Sequence, residues 1–421
     1  MFNRTEVAEG VSIFTRKTEQ FKTVNFSIKL KRPLNTVEAA NRTVLTNVLQ
    51  HSNQAFPTAA ALRMHLDDLY GTVLYLDTTK TGNDQVVLLN VETVNDHYLK
   101  QGNVLKQVLT LMNKVLFEPN LTEDGYFQPS IVEREKEMVI ERIQSVFDEK
   151  SRYAQKRLQE IFRPNHPIST SVNGTVEAVQ AITPQSLKQT YEKMLAEDLV
   201  DIFVIGDIDE EEMVAALKEA FPFKGRKRFE KAPIPTSKAT AAYTKETFDT
   251  RQGKLHIGYS TPVTFEHEDF PKMQIFNGIF GGYPHAKLFM NVREKESLAY
   301  YCSSSYSAQY GVMYVMSGIE QENEEKAIRL IDEQLEAIRE GDISDLEITQ
   351  TKAMLKNQLK EALDSARGQI ELFNQYRDLK EPFTVENMSA KWDAVSKEDV
   401  VRMAKQLNKE AVYFLCGEEA E

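Results

Sequence analysis

The stretch Thr46-Asn47-Val48-Leu49-Gln50-His51 ends in a histidine. An imidazole there can hold a metal, carry a proton or simply pack, and helical spacing would set Asn47 four residues away on the same face. Asn47 and Gln50 are both amides. An Asn amide is a poor zinc ligand beside a neutral imidazole, and a Gln amide has no useful basicity near neutral pH, so the trio supplies neither a ligand set nor a general base. The histidines at 65, 97, 166, 256, 267 and 285 show no metal-ligand spacing. Arg293 and Tyr300 offer different chemistry: a guanidinium fork and a phenol are good donors to a carbonyl oxygen that gains negative charge during attack. The same residues also suit an ordinary arrangement, with Arg293 paired to Glu294 or Glu296 on a solvated face and Tyr300 in a core. No Ser-His-Asp or Cys-His set stands out, and Cys302 and Cys416 read as isolated buried thiols. Gly278, Gly281 and Gly282 lack the Lys-Ser/Thr of a phosphate loop. The run Lys224-Gly225-Arg226-Lys227-Arg228 reads as a solvated segment rather than a docking patch.

The elements that must position these residues are visible in the hydrophobic pattern. Val24, Phe26, Ile28 and Leu30 alternate with polar residues, as a half-buried strand requires. Beyond Pro33, Asn35 and Glu38 have capping-box spacing, and Val37, Ala40, Val44, Val48 and His51 recur at helical period, which places residues 47–51 on a helix. A second helix runs from Thr58 to about Tyr70, closed by Gly71, and two strands follow, VLYLDTT (73–79) and DQVVLLNVET (84–93). Residues 129–162 form a long charged helical stretch, and a buried strand at 201–205 ends in Gly206-Asp207. The second half repeats this order. LAYYCSSSYSAQYGVMYVMSGI (298–319) lies over residues 73–94 without a gap, SKEDVVRMAKQL echoes TPQSLKQTYEKM, and the strand 412–416 with Gly417-Glu418 echoes DIFVIGD. The helix around Glu325 to Arg339 is amphipathic and core-facing.

A chain of 421 residues, 41% apolar, suits two domains, here 1–220 and 246–421, joined by a Pro- and Lys-rich linker at 221–245. Each domain should be a mostly antiparallel sheet with helices on one face, an α+β arrangement. The net charge of −12, from 51 basic and 63 acidic residues, opposes binding to nucleic acid or an anionic membrane. Without an apolar run of roughly 18 residues or a signal-like N-terminus, a cytoplasmic location is expected.

With this plan, the segment NHPISTSVNGTVEAVQAITPQSLKQTYEKMLAEDLVDIFVIGDID and the stretch GGYPHAKLFMNVREKESLAY make the chain resemble the M16 zinc peptidases, the inverted-motif family of mitochondrial processing peptidase, pitrilysin and insulinase. The resemblance implies that Asn47, Gln50 and His51 stand where the family has His-x-x-Glu-His, the two zinc-binding histidines and the glutamate that deprotonates the metal-bound water. It implies Arg142, or Glu141 one place off, at the remaining ligand position, in the segment Glu135–Ile143. Losing two of three protein ligands removes on the order of 6–8 kcal/mol of zinc binding. No catalytic residue and no bound metal are therefore expected in this chain. Arg293 and Tyr300 match the residues with which the family's second domain holds a substrate carbonyl. The resemblance thus implies a noncatalytic, peptide-binding subunit that pairs with a zinc-bearing M16 subunit, or with a second copy of itself. It is similar to a Gram-positive subgroup associated with aminopentanol modification of elongation factor P. Two alternatives stay open: a stand-alone peptide-binding scaffold, and a metallopeptidase with a site rebuilt from His51 and Glu141.

Overall fold

In the computed structural model the described residues are 2–100, 102–230, 237–379, 381 and 383–417. They form two compact units, each threaded from more than one stretch of chain. The first comprises Met1–Gln144, Thr170–Pro233 and Ser365–Asn374, and the second Ser145–Ser169, Ile234–Asp364 and Gln375–Glu421. These are not the consecutive segments 1–220 and 246–421.

The first unit is built on β1 (Asn3–Ala8), β2 (Val11–Lys17), β3 (Thr23–Pro33), β4 (Val73–Thr81), β5 (Asp84–Val94) and β6 (Leu199–Gly206), in the order β1-β2-β6-β3-β5-β4. Its pairings are antiparallel except β2 with β6. The alternation read in the sequence is the pleat of β3: Val24, Phe26, Ile28 and Leu30 are fully buried, and Phe26 faces Val91 of β5 and Val204 of β6. This face carries the main core together with Val44 and Val48 of the helix Ala39–His51, Val108 and Met112 of Val104–Phe117, and Val132 and Val139 of Pro129–Gln144. The opposite face is also covered. Phe14, Phe203 and Ile205 pack there with Ala366 and Ile370, and Lys29, 2% exposed at its side chain, reaches Glu371 at 2.8 Å. The α+β class expected from the sequence holds, and because both faces of the central strands are apolar the far face is covered as well.

The second unit repeats the wiring with β7 (Tyr243–Thr247), β8 (Gly253–Ser260), β9 (Ala299–Ser307), β10 (Val312–Ile319) and β11 (Asn408–Cys416), ordered β7-β11-β8-β10-β9. Here too one pairing is parallel, β7 with β11. The order matches β2-β6-β3-β5-β4. Its far face is covered by the helix Lys150–Phe162, whose Ala154, Leu158, Ile161 and Phe162 pack on Val312, Tyr314, Tyr413 and Leu415. The helical stretch expected over 129–162 is therefore two helices, separated by a 3₁₀ turn at Ser145–Phe147. Charged residues favour helix throughout the segment, so only tertiary packing marks the break.

Three local readings change as well. Asn35 Oδ1 accepts from the Val37 and Glu38 N–H groups, but the Glu38 carboxylate turns to Lys193 at 2.6 Å instead of closing a capping box. Within the expected linker, Phe221 and Phe223 join the first core and Tyr243 opens β7, while residues 231–236 lie outside the described residues, as does Glu418. Arg226 is buried, not solvated: its guanidinium donates to the carbonyls of Leu195, Asp198 and Lys224. Cys302 and Cys416 are free and buried, and burial pushes the Cys302 thiol up to about 12. No described helix is long and apolar enough to cross a membrane.

Candidate functional site

The helix Ala39–His51 buries Ala40, Val44 and Val48 against the first sheet, which leaves Asn47, Gln50 and His51 on its less buried side. Each then finds a partner from the protein. Gln50 Oε1 accepts the Leu76 backbone N–H at 2.7 Å. β4 is an edge strand, and Gln50 satisfies a donor that its open edge would otherwise present. His51 Nε2 lies 3.1 Å from Arg134 Nη1. A guanidinium can only donate, so the Nε2 lone pair is engaged and the proton sits on Nδ1, which is buried without a partner. Burial, and then the charge of Arg134, hold the His51 imidazole below its ordinary pKa.

Asn47 hydrogen-bonds the buried Glu135 carboxyl. Burial raises the pKa of that carboxyl, while the charges of Arg134 and Arg142 and the Asn47 amide oppose the rise. Arg134 Nε stands 4.0 Å from Glu135 Oε1. Arg142, at the position implied for the last ligand, thus brings a positive charge to a carboxylate next to Asn47. Glu141 is exposed, and among the described residues no hydrogen bond or ion pair joins it to His51. Zinc does not fit this set: one amide is tied to a strand, the other to Glu135, the imidazole lone pair faces a guanidinium, and a second guanidinium adds like charge. Among the described residues no three His, Cys, Asp or Glu side chains cluster as metal ligands. The site rebuilt from His51 and Glu141 is accordingly set aside.

Arg293 and Tyr300 belong to the second unit. Leu288–Lys295 is wound as a π-helix and runs into β9. The preceding π-wound turn Gly278–Gly282 packs so closely that a Cβ on Gly281 would meet the Ser304 backbone nitrogen at 2.6 Å, which explains a glycine there. Arg293 is half-exposed, with its guanidinium carbon 4.5 Å from the Phe289 ring centre and Nε 3.6 Å from Glu294. Glu296 pairs instead with Lys326 at 3.2 Å. Tyr300 is 62% exposed, so it is not a core residue. Its hydroxyl donates to Glu320 at 2.5 Å, and that bond raises the phenol pKa, keeping it a donor. No hydrogen bond joins Arg293 to Tyr300 among the described residues.

Sequence reasoning had named Glu135 only as a frame for its motif and had passed over Arg134. One charged residue among many on a helix carries no signal until its neighbour across the packing is known.

Residues 181–355 match the family described as "Peptidase M16 inactive domain". The chain is 38% identical over 415 residues to a probable inactive metalloprotease, YmfF, of Bacillus subtilis, with 97% of this chain and 96% of that protein covered. The crystal structure of a conserved protein from Enterococcus faecalis superimposes with a TM-score of 0.93 at 36% identity, covering 100% of this chain and 99% of the other. A more distant relative is the beta subunit of the mitochondrial-processing peptidase of Saccharomyces cerevisiae, 22% identical over 77% of this chain and 76% of that protein. The chain belongs to the M16 peptidase family, as a homologue that lacks the His-x-x-Glu-His set.

Proposed function

We propose that this chain is a noncatalytic, substrate-binding subunit that completes a peptidase site carried by a zinc-bearing M16 partner. The observation that carries the reading is an asymmetry. Around His51 the protein's own guanidinium, carboxyl and backbone groups engage the site residues, whereas Arg293 and Tyr300 stand exposed, the guanidinium with hydrogens to spare and the phenol giving its one hydrogen to Glu320. A guanidinium, and a phenol turned from Glu320 to the substrate, hold a peptide carbonyl and stabilise its developing oxyanion. The beta subunit of mitochondrial-processing peptidase, by its name, is one subunit of an enzyme, which supports an assembled working form. A heterodimer explains the retained donors better than a homodimer, since two copies would supply two carbonyl clamps and no metal. We further propose a cytoplasmic location and an association with the aminopentanol modification of elongation factor P.

The test is co-expression with a zinc-bearing M16 chain from the same source. Co-elution and hydrolysis of a quenched peptide library are expected, with Arg293→Ala lowering kcat by about 10²–10³ and Tyr300→Phe by roughly tenfold, both with assembly intact. Activity indifferent to both substitutions would end the shared-site reading. Peptide binding without any co-elution would favour a stand-alone scaffold.

A further inference from the structure

Arg293 and Tyr300 leave one junction, where the π-wound segment Leu288–Lys295 hands over to β9. Two backbone bonds close it: the Glu296 N–H returns to the Asn291 carbonyl and the Leu298 N–H to the Val292 carbonyl, both at 3.3 Å. Val292, Leu298 and Ala299 are buried. Arg293 follows the first of these and Tyr300 the last, so the bond from Leu298 to Val292 ties together the anchors from which the guanidinium and the phenol emerge.

Between those two returning N–H groups sits Ser297, with φ at 49°. A helix end turns its next N–H back onto a free carbonyl when one residue takes the left-handed conformation, and glycine usually supplies it. In a serine the Cβ crowds the following carbonyl oxygen, so the conformation is uncommon and persists where the surroundings over-determine it. Its own side chain gives little support, being exposed with its hydroxyl 3.4 Å from the Glu294 carbonyl. The flanks impose the turn. Leu298 enters the core while Ala299 opens β9 opposite Ile319, and a right-handed residue at 297 would continue the helix and break the return to Val292. The turn also sets where Tyr300 meets Glu320, the residue that follows Ile319.

We propose that Ser297 is a positioning residue, whose left-handed turn fixes the span between Arg293 and Tyr300 and so the place where a peptide carbonyl is held. The use of that span rests on the shared-site reading, whereas the span itself is a property of this chain alone.

The test labels the full chain with fluorotyrosine and follows the Tyr300 fluorine resonance, assigned by its loss in Tyr300→Phe and by its shift in Glu320→Gln. Ser297→Val, whose branched side chain resists a left-handed turn, should move the resonance, and Ser297→Gly, which takes the turn freely, should leave it in place. Asn165→Val serves as the control, because Asn165 is left-handed as well, with φ at 55°, beyond the helix Lys150–Phe162. It should lower the thermal midpoint by a few degrees, as Ser297→Val does, without moving the Tyr300 resonance. In the co-expressed assembly Ser297→Val should lower kcat about 10²-fold with KM within about twofold, and Ser297→Gly should keep the rate of the unaltered chain. A Tyr300 resonance unmoved in Ser297→Val, or moved equally in Asn165→Val, would overturn the assignment. If the resonances behave as expected while activity ignores Arg293→Ala, the positioning role stands and the shared-site reading alone falls.

Discussion

The two units share one wiring and part company between the third strand and the outer hairpin. In the first, β3 leads into a regular α-helix whose polar residues at 47, 50 and 51 are tied to Glu135, the β4 edge and Arg134. In the second, the equivalent span is π-wound at Gly278–Gly282 and again at Leu288–Lys295, and it delivers Arg293 and Tyr300 to an exposed surface. π-winding is rare and, where it occurs, is frequently at a functional site. The difference teaches that the residues standing in place of metal ligands are held by their own surroundings, while the region of Arg293 and Tyr300 is irregular and exposed.

The units also differ in how they bury charge, and this gives the largest expected effect. In the first, Arg42 and Asp198 pair at 2.6 Å with side-chain exposures of 1% and 0%. Asp198→Asn leaves the Arg42 guanidinium buried beside a neutral amide and should cost about 3–5 kcal/mol in urea unfolding at pH 7; a loss under about 1 kcal/mol would mean the pair is not buried as described.

The second unit buries a neutral imidazole instead. His256 is fully buried, with Nδ1 3.1 Å from Gln155 Oε1 and Nε2 unpartnered. Burial, aided by the charge of Lys254, pushes its pKa down to about 3. Between pH 6.5 and about 3 the unfolded chain binds the extra proton, so this residue contributes a loss of stability on acidification of about 1.4 kcal/mol per pH unit in that window, and nothing above it. His256→Gln should flatten the stability profile between pH 6.5 and pH 5; an unchanged slope would place the acid sensitivity elsewhere. Smallest is the second unit's own bidentate pair, Arg163 with Glu410 at 2.7 and 3.1 Å, where the carboxylate is 28% exposed. Glu410→Gln should cost about 1 kcal/mol, well below Asp198→Asn.

Much of the fold was legible because the alternation in β3 and the repeat of hairpins are local patterns. The covering of the far faces was not. The periodicity of 150–162 and of 366–376 shows that each has an apolar face but not which sheet receives it, and each segment joins the unit that the other half of the sequence dominates. The π-winding at 288–295 was hidden for a similar reason: over eight residues a wider helix leaves nearly the same pattern as an ordinary one. At the site, the residue types at 47, 50 and 51 already argued against zinc. What closes the site, Arg134 against His51 and Glu135 against Asn47, depends on two helices meeting and has no signature in either one.

Zinc content tests the coordination claim most directly. The purified chain, dialysed against zinc and then against metal-free buffer, should retain far less than one equivalent by elemental analysis, and Asn47→His/Gln50→Glu/Arg142→Glu should raise the retained metal toward one equivalent. Retention of a full equivalent by the unaltered chain would contradict the account.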